Sequence, residues 1–116
     1  MFQRAQSEWN RAVNPSRRRH SRIAAKAGDV SHPHYTCIDL SESGMKFSAK
    51  GKVDAGSIVT VDISALAQPV TVRCKVMWCR EATSFFEQGF HFGVMFQDLS
   101  VQDQFRLREL IQERGG

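Results

Sequence analysis

Residues 70–78 read VTVRCKVMW, and their strict period of two is the strongest constraint on what this chain can become. The alternation puts Val70, Val72, Cys74, Val76 and Trp78 on one face and Thr71, Arg73, Lys75 and Met77 on the other. A helix would scatter these residues around its axis, whereas a half-buried antiparallel strand sorts them into a core side and a solvent side. The same period recurs in SIVTVDI (57–63), with Val59, Val61 and Ile63 on one face, and in GFHFGVMF (89–96), with Phe90, Phe92, Val94 and Phe96. YTCIDL and GMKFSA flank the short SES connection and read as a hairpin. Breaks fall at Gly51, Gly56, Gln68-Pro69 and residues 87–89, which marks off about six strands at short intervals. That spacing predicts a small antiparallel barrel or sandwich rather than alternating βαβ units.

Helical periods occur only at the ends. In FQRAQSEWNRAV (2–13), Phe2, Ala5, Trp9, Ala12 and Val13 form one apolar stripe, and Asn14-Pro15 terminates it because the residue before proline is driven out of the helical region. Twelve residues make a marginal helix alone, so this arm must dock on something. The expected division is an amphipathic arm over residues 1–14 and a single β domain over 15–116. At the other end, Ser100 is a good N-cap, with Asp103 three residues on in the place of a capping-box acid. Val101, Phe105, Leu107, Leu110 and Ile111 are expected to form a broad apolar face that closes the barrel. Arg106, Arg108 and Arg114 read as solvated or dipole-complementing residues.

With 116 residues the chain is long enough for one core and too short for two. Cys37, Cys74 and Cys79 are odd in number and lack CxxC spacing; Cys74 and Cys79, five apart, should face opposite sides of one strand. They read as reduced structural thiols. No apolar run approaches the roughly 20 residues that span a bilayer, and a cytoplasmic protein is the expectation.

Catalytic patterns are missing: there is no P-loop, no GxSxG elbow and no HExxH. His32 and His34 flank Pro33 without a third ligand at a supporting spacing, so no metal site is expected. His20 lies within a basic cluster that disfavours its protonation, and His91 faces away from Phe90 and Phe92. The reading is a binding protein, not an enzyme.

The charge is unevenly placed. The net charge is +4, from 16 basic and 12 acidic residues, and setting aside Arg17, Arg18, Arg19 and Arg22 leaves twelve of each sign. The whole surplus sits in NPSRRRHSR, next to a beginning strand. Such a cluster focuses positive potential and attracts anions. It can be a solvated tail, a generic nucleic-acid patch, or half of a specific anion site. DLSESG (39–44) is by itself a turn, in which Asp and Ser bond nearby backbone and Gly44 takes a positive φ. Sixteen residues separate Arg22 from Asp39, enough for one strand out and one back, so the two segments can meet. Arginine forks suit guanine O6/N7 and phosphate oxygens, Asp39 can accept from guanine N1–H and N2–H, and Gly44 permits close approach.

RRRHSR followed by DLSESG resembles the RxxxR and (D/N)xSxxG signature of PilZ domains, bacterial receptors for cyclic di-GMP. Met45 and Phe47 after the turn, Gly56, VMW with Trp78, GVMFQDLS and the closing helix extend the resemblance from about residue 15 to the C-terminus. It implies a six-stranded antiparallel β-barrel with a C-terminal helix that binds cyclic di-GMP on its outer surface, without further cofactor. Arg18 and Arg22 match the two arginines of the first motif, with Arg17 as an auxiliary phosphate contact. Asp39, Ser41 and Gly44 match the second motif. Arg19 and Ser43 fall at variable positions and are secondary candidates. Trp78 reads first as core and second as a stacking platform beside the ligand. A receptor of this kind passes its signal to a partner protein, by family analogy in motility, pilus or biofilm control, with the N-terminal segment ordered by ligand. The alternatives are a ligand-independent PilZ-like adaptor and a small β-barrel for single-stranded nucleic acid. Inward-alternating aromatics and a single short basic cluster disfavour the latter.

Overall fold

A computed structural model of the protein describes residues 22–83 and 88–115. Seven antiparallel strands and one helix follow in chain order: β1 (Arg22–Ala24), β2 (Val30–Ser31), β3 (Thr36–Ser41), β4 (Gly44–Ala49), β5 (Ile58–Ile63), β6 (Val70–Thr83), β7 (Gln88–Phe96) and α1 (Val101–Gly115). The single sheet runs β1-β3-β4-β7-β6-β5-β2. The expected arm over 1–14, the boundary after it and the short N-terminal helix lie outside the described residues.

The strand count exceeds the expected six because a turn divides the first extended stretch. Gly28 adopts φ 89°, a left-handed conformation that side chains disfavour, and the chain reverses there between β1 and β2. These two short strands then take opposite edges of the sheet. Only residues 25–29 connect the edges, a span of at most about 17–18 Å. The sheet must therefore curl into a half-barrel, and it does.

Inside the curl, Leu40, Met45, Phe47, Val61, Ile63, Val72, Cys74, Val76 and Phe92 are buried together with Leu107 and Ile111 of α1. Phe47 and Phe92 stack with ring centroids 5.3 Å apart, and Tyr35 meets Phe92 edge-on at 4.9 Å. Burial pushes the Cys74 and Cys37 thiols up to about 12, in keeping with inert structural cysteines.

Two expectations from simple periodicity are corrected. In β6 the register shifts between Val76 and Trp78: Val76 pairs with Val94, whereas Trp78 pairs with Gly93. The extra residue, Met77, is a β-bulge that flips the alternation. Trp78 therefore leaves the core face and is 37% exposed, while Cys79, opposite Phe92, packs against the same core as Cys74. In α1 only Leu107 and Ile111 are buried and Leu110 partly so; Val101 and Phe105 are 82% and 54% exposed. Phe105 precedes Leu107 by two residues, about 200° around the helix, so the two cannot share a face.

The cap at Ser100 forms as expected, its Oγ accepting from the Asp103 N–H at 3.1 Å. Arg106 and Arg108 are held by Asp103 and Glu42 rather than solvated freely. Arg114 does more. It forms a two-pronged ion pair with Asp29, which is 5% exposed. Asp29 also accepts from the Lys26 N–H at 2.7 Å, and its carbonyl accepts from the N–H groups of Ser64 and Ala65. One residue thus ties the β1–β2 turn, the end of β5 and the last turn of α1.

The Arg114 guanidinium holds the Asp29 carboxyl below the ordinary carboxylate range. Arg114→Ala leaves that buried charge unpaired and should lower unfolding free energy at neutral pH by roughly 3 kcal/mol, measured by urea denaturation. Because the folded-state pKa is depressed, the pair's contribution is complete above the unfolded value of about 3.9 and fades as pH falls through the folded value. The stability gap between wild type and Arg114→Ala should accordingly narrow on acidification below about pH 4.

Candidate functional site

The β1–β3 register brings the end of the arginine cluster onto the second motif. Arg22 pairs with Ser41, Ile23 with Leu40 and Ala24 with Asp39. The Arg22 guanidinium reaches across to Asp39 Oδ1 at 2.5 Å, and Lys46 Nζ stands 3.7 Å from Asp39 Oδ2. Arg22 is half exposed and Asp39 largely covered. Arg17, Arg18 and Arg19 lie outside the described residues; the sequence puts them three to five positions before Arg22.

The β3–β4 connection is organised by Ser41. Its hydroxyl is buried, donates to the Gly44 carbonyl at 3.1 Å and accepts from the Gly44 N–H at 3.2 Å. Ser43 lies at the exposed tip; its N–H and hydroxyl approach Ser41 Oγ at 3.4 Å, and its carbonyl accepts from the Phe96 N–H. The turn is thereby pinned to β7. Gly44 is required here for a reason the motif did not suggest. Its φ is not left-handed, but a Cβ at this position would sit 1.9 Å from the Val94 carbonyl oxygen. The glycine lets β4 and β7 come together.

Across the sheet, the pairings Asp39↔Lys46, Lys46↔Gly93 and Gly93↔Trp78 form one row over four strands. Its immediate neighbours along the strands, Leu40, Met45 and Val94, point into the core, so the row faces outward. The Trp78 indole covers Gly93, in the space a Cβ would occupy: Nε1 would be 2.3 Å from it. The Arg80 guanidinium stacks over the indole, 4.8 Å from the ring centroid. The outer face thus carries, in order, a carboxylate, an ammonium and a partly exposed indole with the Arg80 guanidinium stacked on it. This surface offers hydrogen bonding, charge and an arginine–aromatic pair to a planar anionic ligand.

Sequence reasoning missed Lys46, Gly93 and Arg80. The hairpin register set by the SES turn would have placed Lys46 against Asp39, and a glycine inside an apolar strand signals close approach. The histidines gather no further ligand: among the described residues no three His, Cys, Asp or Glu side chains are placed to hold a metal. His32 stacks on Tyr35 at 4.4 Å, and burial lowers its pKa. No described helix is long and apolar enough to cross a membrane.

Residues 12–113 match the family model of the PilZ domain, and the chain belongs to that family. Comparison with curated proteins gave no match. Among solved structures, the chain resembles the complex of K. pneumonia MrkH with c-di-GMP (TM-score 0.66, 16% identity, covering 84% of this chain and 52% of that one). It also resembles Escherichia coli YcgR in complex with c-di-GMP (0.67, 16%, 85% and 46%) and the Bacillus subtilis Inhibitor of motility, MotI/DgrA (0.63, 16%, 85% and 51%). The chain spans about half the length of these proteins. The isolated PilZ domain of YcgR with c-di-GMP is matched over 93% of its length, at TM-score 0.60 and 17% identity. At such identities the likeness is one of fold.

The two glycines make distinguishable predictions. Gly44→Ala drives a Cβ into backbone, which cannot yield without separating β4 from β7, and should destabilise by about 1–3 kcal/mol in thermal or urea unfolding. In Gly93→Ala the nearest atoms the new Cβ meets are those of the Trp78 side chain. The substitution should swing the indole off the sheet, changing near-ultraviolet circular dichroism while leaving stability within about 1 kcal/mol.

Proposed function

We propose that this PilZ domain is a cytoplasmic, non-enzymatic receptor for cyclic di-GMP that passes the signal to a partner protein. The observation that carries the reading is the Arg22–Asp39 contact, which joins the RxxxR segment to the DxSxxG turn on one exposed face. The matches to MrkH and YcgR, both solved with c-di-GMP, support it.

In this reading Arg18 and Arg22 clamp guanine Hoogsteen edges and phosphates, and Arg17 adds a phosphate contact. Arg19 is an auxiliary. A carboxylate has four lone-pair positions, so Asp39 can keep Arg22 and still accept from guanine N1–H and N2–H. Lys46 lies beside Asp39 and complements a phosphate. Ser41 and Gly44 act chiefly by shaping the turn, and Ser43 offers a hydroxyl at its tip. Trp78 supplies an aromatic ring on the same row, which a base reaches by displacing the Arg80 guanidinium.

Four neighbouring guanidiniums repel one another, and a ligand with two phosphates offsets that repulsion. The ligand thus favours the arrangement in which the arginine segment lies against the turn, through differential affinity for it. The residues before that segment would then move with it and signal to an effector, in motility, pilus or biofilm control. The likeness to an inhibitor of motility points toward the first.

A ligand-independent adaptor is the second reading. It is favoured by the Arg22–Asp39 ion pair, in which a carboxylate of the protein itself engages one arginine of the RxxxR segment.

Isothermal titration of the full chain in low salt should give micromolar or tighter binding of cyclic di-GMP. Arg18→Ala, Arg22→Ala and Asp39→Ala should each weaken it about 5- to 150-fold, since a good bidentate contact contributes roughly 1–3 kcal/mol. Trp78→Ala should weaken it about 5- to 150-fold if a base stacks there. No heat at micromolar concentrations rejects the receptor reading. Arg18→Ala and Asp39→Ala proteins that keep full cellular output favour the adaptor.

A further inference from the structure

The outward face of α1 carries two large apolar side chains that the fold does not use. Val101 and Phe105 are one turn apart and are the most exposed large hydrophobics among the described residues. They lie on the side of the helix opposite Leu107. The 2–13 stretch carries the complementary feature: an apolar stripe of Phe2, Ala5, Trp9, Ala12 and Val13 with Arg4 and Arg11 interspersed. We propose that the N-terminal segment 2–13 docks as a helix on the Val101/Phe105 face of α1 of the same chain.

The topology puts the two within reach. The chain enters the described fold at Arg22, which pairs with Ser41; the next residue, Glu42, forms an ion pair with Arg108 at 3.4 Å. The entry point thus lies beside the middle of α1. Val101 is seven residues before Arg108, about 10 Å along the helix axis. Residues 14–21, the stretch between the apolar stripe and β1, can span up to about 26 Å. Asn14-Pro15 ends the helical stripe where the connection must begin. Charge also fits, because Glu109 follows Phe105 by one turn on α1 and the stripe is flanked by Arg4 and Arg11. A twelve-residue helix has little stability alone, so burying Phe2 and Trp9 against Phe105 supplies what the segment lacks. Docking there fixes both ends of residues 14–21 and holds the arginine cluster near the edge where Arg22 meets Asp39.

The proposal concerns the protein without ligand and stands whether or not the site binds cyclic di-GMP. Hydrogen–deuterium exchange on the full chain, free of nucleotide, tests it. Amides of residues 5–13 should exchange at least tenfold slower than an unstructured peptide. Phe105→Asp and Trp9→Asp should each abolish that protection, and Phe105→Leu should retain it. Peptides from β6 report that the fold survives; if Phe105→Asp disturbs them, Val101→Ser is the milder substitution and should reduce protection by several-fold. Unprotected amides at 5–13 in the wild type overturn the proposal, as does protection unchanged in both Phe105→Asp and Trp9→Asp. Protection that is lost on dilution together with a halving of the molecular mass also overturns it, because the occupant of the face is then a second copy.

Discussion

Asp29 is the residue on which the shape of this domain turns. The sheet places its first two strands at opposite edges, so everything depends on how five residues between them are held. Asp29 holds them by three kinds of bond: side chain to the Lys26 N–H, carbonyl to the end of β5, and carboxylate to Arg114. Curling the sheet creates the inner concavity that α1 fills with Leu107 and Ile111. It also seats β1 against β3, and only in that register does Arg22 face Asp39. The Arg22–Asp39 contact and the core closure therefore share one anchor, at a distance from that contact.

A second constraint is the single extra residue in β6. Without the bulge at Met77, Trp78 would enter the core and Cys79 would point out. With it, the indole lies over Gly93 in line with Lys46 and Asp39, and a buried aromatic becomes part of the outer face. The bulge turns a residue that periodicity assigns to the core onto the outer face without changing the pairing of the strands around it. Gly93 is the partner of that device, since any side chain there would lift the ring.

Much of this was legible in the residues. Period-two patterning identified β3 to β7, the SES hairpin and the inward set Val59, Val61, Ile63, Val72 and Val76. The C-terminal helix was visible from its cap at Ser100. The joining of Arg22 to Asp39 followed from chain length alone, as one strand out and one strand back. What escaped was whatever depends on a break in periodicity or on a distant partner. A bulge shifts every later residue by one, so Trp78 and Cys79 were both assigned to the wrong side. Arg114 looked like a solvated helix-end residue because its partner lies 85 positions away. Gly44 looked like a turn residue, while its constraint comes from the carbonyl of Val94 on another strand.

The misassigned helix face is the most instructive of these. Counting apolar residues in α1 suggests one wide stripe, but a half-barrel offers a helix only a narrow seat, which Leu107 and Ile111 occupy with Leu110 at its edge. Val101 and Phe105 remain outside, on the half of α1 that begins next to the β3–β4 turn. The inner face of α1 closes the barrel, and its outer face adjoins the edge where the arginine segment enters. A helix so placed touches both the core and the β3–β4 turn. The Arg108–Glu42 ion pair joins that helix directly to the turn that carries Ser41 and Gly44.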